Sequence, residues 1–125
     1  MIVLDYKDRR PIYEQVAERL QELMLLGILE QDEKLPSVRG LAVELSINPN
    51  TIQRAYLELE RQGYIYSVKG KGSFVADVSD AREARLGELK AELGDLAARA
   101  VQLGVGPEDF LKMAGDAYGK AGEKT

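Results

Sequence analysis

The chain has 125 residues, 45% of them hydrophobic and 30% charged, with a formal net charge of −4. That size and composition allow one compact domain with an appendage, and exclude both two full domains and wholesale disorder. The absence of cysteine and histidine excludes disulfides, thiolate or imidazole catalysis and zinc sites built from those ligands. Carboxylates could still bind Mg²⁺ or Ca²⁺, but no stretch resembles a calcium loop and the acids lie on helical faces, so no metal or cofactor is expected.

No apolar run approaches the roughly 18 residues of a membrane span, and no basic stretch leads into an apolar core at the N-terminus. The expectation is a cytoplasmic protein that makes no membrane contact. Residues 1–76 hold 10 basic and 11 acidic side chains, and residues 77–125 hold 7 and 10. This mild acidity argues against nucleic acid as a partner. Val68–Val75, however, contains two lysines and no acid. Exposed charges more than about 8–10 Å apart are screened, so a locally basic surface can still bind phosphates.

In chain order, Met1–Leu4 is a short apolar run that suits a strand, and Asp5–Arg10 is a charged loop. Pro11 fits the first turn of a helix, where its missing N–H costs nothing. Ile12, Val16, Leu20 and Leu23/Met24 form that helix's apolar stripe, and Gly27 ends it. Gln31–Lys34 is read as a turn. Ser37 is placed to cap a second helix. Val38, Leu41, Ala42 and Leu45 then repeat at i, i+3, i+4, i+7, as do Ile52, Ala55, Tyr56 and Leu59. The link Ser46-Ile47-Asn48-Pro49 is so short that the two helices must meet at a steep angle, which is a helix-turn-helix. The second of these helices starts near Pro49/Asn50 and ends before Gly63.

Tyr64–Val68 is aromatic and β-branched and reads as a strand. Gly70 and Gly72 bracket Lys71 in a turn, and Ser73–Val75 returns. The fold class is therefore mainly α with a small β hairpin: a winged helix-turn-helix domain over residues 1–76, then a short two-helix C-terminal dimerisation region over residues 77–125. In that region Leu86, Leu89, Leu93, Leu96, Ala100 and Leu103 alternate spacings of three and four, an a/d seam. Gly87 and Gly94 weaken the isolated helix by about 1 kcal/mol each, so it needs something to pack on. Gly104–Pro107 breaks it. A second helix follows, with Glu108 and Asp109 at its favourable end and Phe110, Met113, Ala114, Ala117 and Tyr118 on its apolar face. The tail from Gly119 is expected to fray.

Three ordered blocks carry a resemblance. They are Leu35-Pro36-Ser37-x-Arg39-x-Leu41-Ala42, then Ile47-Asn48-Pro49-Asn50-Thr51-Ile52-Gln53-Arg54-Ala55-Tyr56 with Leu59-Glu60 and Gly63-Tyr64, then Gly70-x-Gly72-x-Phe74-Val75. Together with Pro11-Ile12-Tyr13-x-Gln15, they resemble the GntR family of bacterial transcription regulators over about residues 2–76. The length and helical tail look like its short YtrA-type subfamily, whose members dimerise through a small helical region. The chain departs from the family where many members carry arginine, at Pro49 and Gln53, and where a basic residue is common, at Val68. Base preferences of other members therefore do not transfer.

The motif geometry and the resemblance together nominate Ser37, Arg39, Asn48, Asn50, Thr51, Gln53, Arg54, Lys69, Gly70, Lys71 and Gly72 as DNA-binding residues. Leu86, Leu89, Leu93, Leu96, Ala100, Leu103 and Phe110 are nominated for dimerisation. Several nominations have a plainer alternative. Arg39 could pair with Glu44 or Asp32, Arg54 could pair with Glu58 at i, i+4, and Thr51 could only assist the cap. Gly70-Lys71-Gly72 lacks the spacing of a phosphate-binding loop and could be an ordinary hairpin turn. Tyr56, Tyr64, Tyr66 and Phe74 are assigned to packing rather than base stacking. The heptad leucines could pack within one chain rather than across a dimer.

The expected function is a sequence-specific DNA-binding transcription regulator, a repressor, that binds a palindromic operator in double-stranded DNA as a homodimer. A small-molecule effector is expected, if anywhere, near Tyr118, Phe110 and the first helix. The alternative is a winged-helix protein-interaction module without DNA binding, which would favour apolar rather than polar residues on the outer helix face. An enzyme is disfavoured, because no nucleophile–base pair can be assembled.

Overall fold

The computed structural model describes residues 2–123. Its elements in chain order are α1 (Ile12–Leu25), α2 (Val38–Leu45), α3 (Pro49–Arg61), β1 (Ile65–Val68), β2 (Gly72–Val75), α4 (Ser79–Gln102) and α5 (Pro107–Glu123). The chain forms two compact units, Met1–Arg82 and Glu83–Thr125.

In the N-terminal unit the apolar stripes read from the sequence converge on one core. Val16, Leu20 and Met24 of α1, Leu41 and Ala42 of α2, and Ile52, Ala55, Tyr56 and Leu59 of α3 are all buried. Tyr64, Ile65 and Val75 close it from the hairpin side. Burying a large aliphatic side chain contributes about 1.5–3 kcal/mol, so these stripes hold the three helices together. Val78, just before α4, and Ala81, in its first turn, pack against the same core. Arg82 donates from Nη1 to the Leu25 carbonyl oxygen at 3.0 Å, satisfying an end carbonyl of α1.

Local chemistry sets the helix limits. Ser37 Oγ accepts the Gly40 N–H at 2.9 Å and opens α2. Asn48 Oδ1 accepts the Asn50 N–H at 2.8 Å and opens α3, with Pro49 at its first position. Gly63, at φ 83°, ends α3. Its N–H bonds the Glu60 carbonyl, and the Tyr64 N–H bonds Leu59, a closure that needs the left-handed conformation glycine tolerates. In the turn between α2 and α3, Ser46 adopts φ 55° and ψ 45°.

Buried Gln15 secures the N-terminal loop. Its Oε1 accepts the Asp5 N–H at 3.0 Å, and its Nε2 donates to the Arg10 carbonyl at 3.2 Å. The polar residue in the Pro11–Gln15 block thus has a structural use.

β1 and β2 pair antiparallel in the register Ile65↔Val75, Tyr66↔Phe74, Ser67↔Ser73 and Val68↔Gly72. The connecting loop is Lys69-Gly70-Lys71, and Gly72 belongs to β2 rather than to the turn.

Four other expectations are corrected. Ile2–Leu4 forms no strand; Ile2 and Leu4 rest on the core while Val3 is exposed, so the alternation is there without a ladder partner. Met1 lies outside the described residues. Tyr64 precedes the strand, because its N–H completes the end of α3. Gln31–Lys34 is more than a turn, since Lys34 bridges Phe74 in antiparallel fashion. Finally, α5 does not fray at Gly119 but runs through Glu123, with Lys120, Ala121 and Glu123 favouring helix against the cost of Gly119 and Gly122.

In the C-terminal unit α4 ends at Gln102. The Val105 N–H then bonds the Ala100 carbonyl at 2.9 Å, and α5 opens at Pro107 with Glu108 and Asp109 in its first turn. Among the described residues no helix is long and apolar enough to cross a membrane.

Candidate nucleic-acid interface

The first two turns of α3 turn Ile52, Ala55 and Tyr56 inward and leave Asn50, Gln53 and Arg54 exposed. Thr51 is half-buried and Asn48 is engaged in the cap. No acid appears on α3 before Glu58. The helix therefore presents amide and guanidinium groups at its positive end, where an anion is favoured.

The acids farther along α3 are occupied. Glu58 receives hydrogen bonds from Arg61 and Gln62, which hold its carboxyl down at about 2. Glu60 accepts the Ser67 hydroxyl at 2.5 Å. The proposed Arg54–Glu58 pair is not formed. Instead the Arg54 guanidinium carbon lies 4.0 Å from the centroid of the Tyr13 ring, a cation–π contact that holds the cation at the edge of the helix. Leu57, one turn beyond Gln53, is also exposed and extends this face with an apolar group. The i, i+4 spacing alone could have flagged it.

Arg39 lies in the first turn of α2, is exposed, and makes no ion pair among the described residues. Asp32, one of its candidate partners, instead accepts the Tyr66 hydroxyl at 2.8 Å. Tyr66 also stacks on Phe74, with centroids 5.6 Å apart. It is 37% exposed, so it braces the outside of the hairpin rather than the core to which the sequence assigned it. Tyr56 and Tyr64 are buried as read.

The wing and the start of α2 border one open cleft of about 410 Å³. Lys34, Ser37, Lys69, Gly70, Lys71 and Gly72 are among its walls, and it has no carboxylate. The structure thus groups Ser37 with the four wing residues. It places Arg39 on the adjoining helix turn, outside this lining.

In the C-terminal unit Leu86, Leu89, Leu93, Leu96 and Leu103 are between 41% and 78% exposed, Ala100 is buried and Phe110 half-buried. A second cavity, about 270 Å³, is lined by Leu93, Leu96, Ala100, Leu103 and Phe110 together with α5 side chains. Tyr118 is exposed and does not line it.

Residues 12–75 match the family described as bacterial regulatory proteins, gntR family. The chain is 39% identical over 107 residues to the HTH-type transcriptional repressor YtrA of Bacillus subtilis (strain 168), a match spanning 84% of this chain and 82% of that one. It resembles the crystal structure of a transcriptional regulator from Oenococcus oeni, with TM-score 0.70 and 31% identity over 94% of this chain and 99% of that chain. It also resembles AraR(DBD) in complex with operator ORR3, with TM-score 0.53 and 34% identity over 59% of this chain and 89% of that chain. The protein therefore belongs to the gntR family of bacterial regulatory proteins and is a winged helix-turn-helix, DNA-binding transcription regulator rather than an enzyme.

Proposed function

We propose that this regulator is a repressor that binds a palindromic operator as a homodimer, with residues 1–76 reading DNA and residues 77–125 dimerising. The observation that carries this reading is the acid-free polar start of α3 beside an acid-free, lysine-lined cleft. Asn50, Thr51, Gln53 and Arg54 are assigned to the major groove, and Lys69–Gly72 to the adjacent backbone or minor groove. Ser37, Arg39 and Asn48 face the phosphates. The AraR complex, a structural relative bound to operator DNA, supports operator binding by this fold.

The exposed leucine stripe of α4, with Phe110, supports self-association. Leucines spaced as an a/d seam lose apolar surface to water until a second seam covers them. A two-fold dimer would present two α3 helices to half-sites about one helical turn, ~34 Å, apart. An inducer would act by binding a dimer spacing that mismatches those half-sites. This reading also places the protein in the cytoplasm, where its DNA target lies.

Binding-site selection from random duplex DNA tests the proposal. The expected product is an inverted repeat bound at two chains per site. Enrichment of a single half-site by one chain would overturn the dimer, and no enrichment at all would overturn sequence-specific binding.

A further inference from the structure

The segment before α2 carries a basic residue that the sequence pattern did not mark. Asp32–Leu35 runs along the free edge of β2. The Asp32 N–H bonds the Val75 carbonyl at 2.7 Å, the Val75 N–H bonds Glu33 at 2.9 Å, and the Leu35 N–H bonds Ser73 at 2.9 Å. Lys34 bridges Phe74 within this ladder. Leu35 is buried, which anchors the segment, while Lys34 is exposed.

From its pairing with Phe74, the Lys34 side chain reaches Gly72, in the last strand pair before the wing loop. A methyl group built on Gly72 would sit 3.2 Å from Lys34 Cε and 4.0 Å from Nζ. The contact is tight but falls on the far end of a flexible side chain, and it is the φ of 118° at Gly72 that favours glycine there. Lys34 lines the cleft together with Lys69 and Lys71, and no acid is among its walls. It has no ion pair among the described residues. The two neighbouring carboxylates are turned to other tasks: Asp32 accepts the Tyr66 hydroxyl and Glu33 accepts the Glu30 N–H.

Three ammonium groups around one open cleft without a counter-charge repel one another unless an anion joins them. The cleft lies between the wing and the Ser37 cap, on the side expected to face the duplex. We infer that Lys34 is a DNA-backbone contact that seats a phosphate together with Lys69 and Lys71. This rests on the reading that the chain binds duplex DNA through α3 and the wing.

The test is titration of a labelled random-sequence duplex with the full chain at several salt concentrations, using the parent, K34Q, K34R and, as a remote control, K120Q on α5. Loss of one phosphate contact lowers the slope of log K against log salt by about 0.9. The expected result is that loss in K34Q, a parental slope in K34R and K120Q, and unchanged thermal midpoints. A parental slope in K34Q would overturn the contact while leaving the DNA reading intact. A loss in K34R as large as in K34Q, with both thermal midpoints lowered, would make Lys34 a structural residue and reject the phosphate role. A parent that binds no duplex at any salt would instead reject the DNA reading, and this inference with it.

Discussion

The Tyr56 hydroxyl donates to the Pro36 carbonyl oxygen at 2.8 Å, tying the middle of α3 to the residue just before the cap of α2. One bond thus joins α3 to the cleft wall, because Pro36, Ser37 and Tyr56 all line that cleft. Burial, and then the nearby Glu44 charge, push the phenol up to about 12 from its ordinary 10.0.

Tyr56→Phe should therefore cost about 1 kcal/mol, the net value of a typical intramolecular hydrogen bond. It should also change the alkaline behaviour. Between pH 10 and 12 the folded phenol keeps its proton while the unfolded one loses it. The folded state then binds more protons, and stability falls as pH rises through that window. Denaturant midpoints measured from about pH 9 upward should fall less steeply for Tyr56→Phe than for the parent. Parallel pH profiles would contradict this.

Gln53→Ala should shift base preference at one position per half-site by about 1–3 kcal/mol, the usual value of a good side-chain–base pairing. Arg39→Ala should weaken all duplexes alike and reduce the salt slope, because a phosphate contact carries no sequence information. Selection and salt titration separate the two effects. Parental results for both variants would remove these residues from the interface.

Tyr13→Leu should release Arg54 from the ring it covers, 4.0 Å from its centroid. At an exposed site such a contact is worth about 0.5–1 kcal/mol. A double-mutant cycle of Tyr13→Leu with Arg54→Leu, read by urea unfolding, should return coupling of that size. Strict additivity would show that the two side chains do not interact in solution.

Leu93→Asp should turn a dimer into a monomer. Leu93 is 50% exposed in the single chain, so the carboxylate costs little there. Buried in a dimer seam without a partner, it would cost several kcal/mol. Sedimentation should give a dimer for the parent and mainly monomer for the variant, with helical content by circular dichroism retained. A variant as dimeric as the parent would move the interface elsewhere.

The elements legible in the sequence are those fixed by interactions within a few residues. Ser37 and Asn48 cap their own helices, Gly63 closes α3 against Glu60, and the i, i+3, i+4 stripes mark the buried faces. Each depends on backbone geometry that adjacent residues set for themselves, so pattern alone locates α1, α2, α3, the hairpin and both C-terminal helices. The candidate interface on α3 was legible for the same reason: residues left off an apolar stripe must face outward.

Tertiary structure decided whatever depended on partners far along the chain. Asp32–Leu35 has no strand-like composition, and becomes a strand edge only because β2 offers unpaired groups some 40 residues later. Ile2–Leu4 has a strand's alternation but finds no edge to join. Arg54 had a local acid available at Glu58, yet it covers Tyr13 of α1, while Glu58 binds Arg61 and Gln62. Tyr64 and Tyr66 look alike in sequence, but the end of α3 buries one and hairpin register exposes the other. In each case several local partners are chemically equivalent within about 1 kcal/mol, and the packed core chooses among them by the positions into which it brings the backbone.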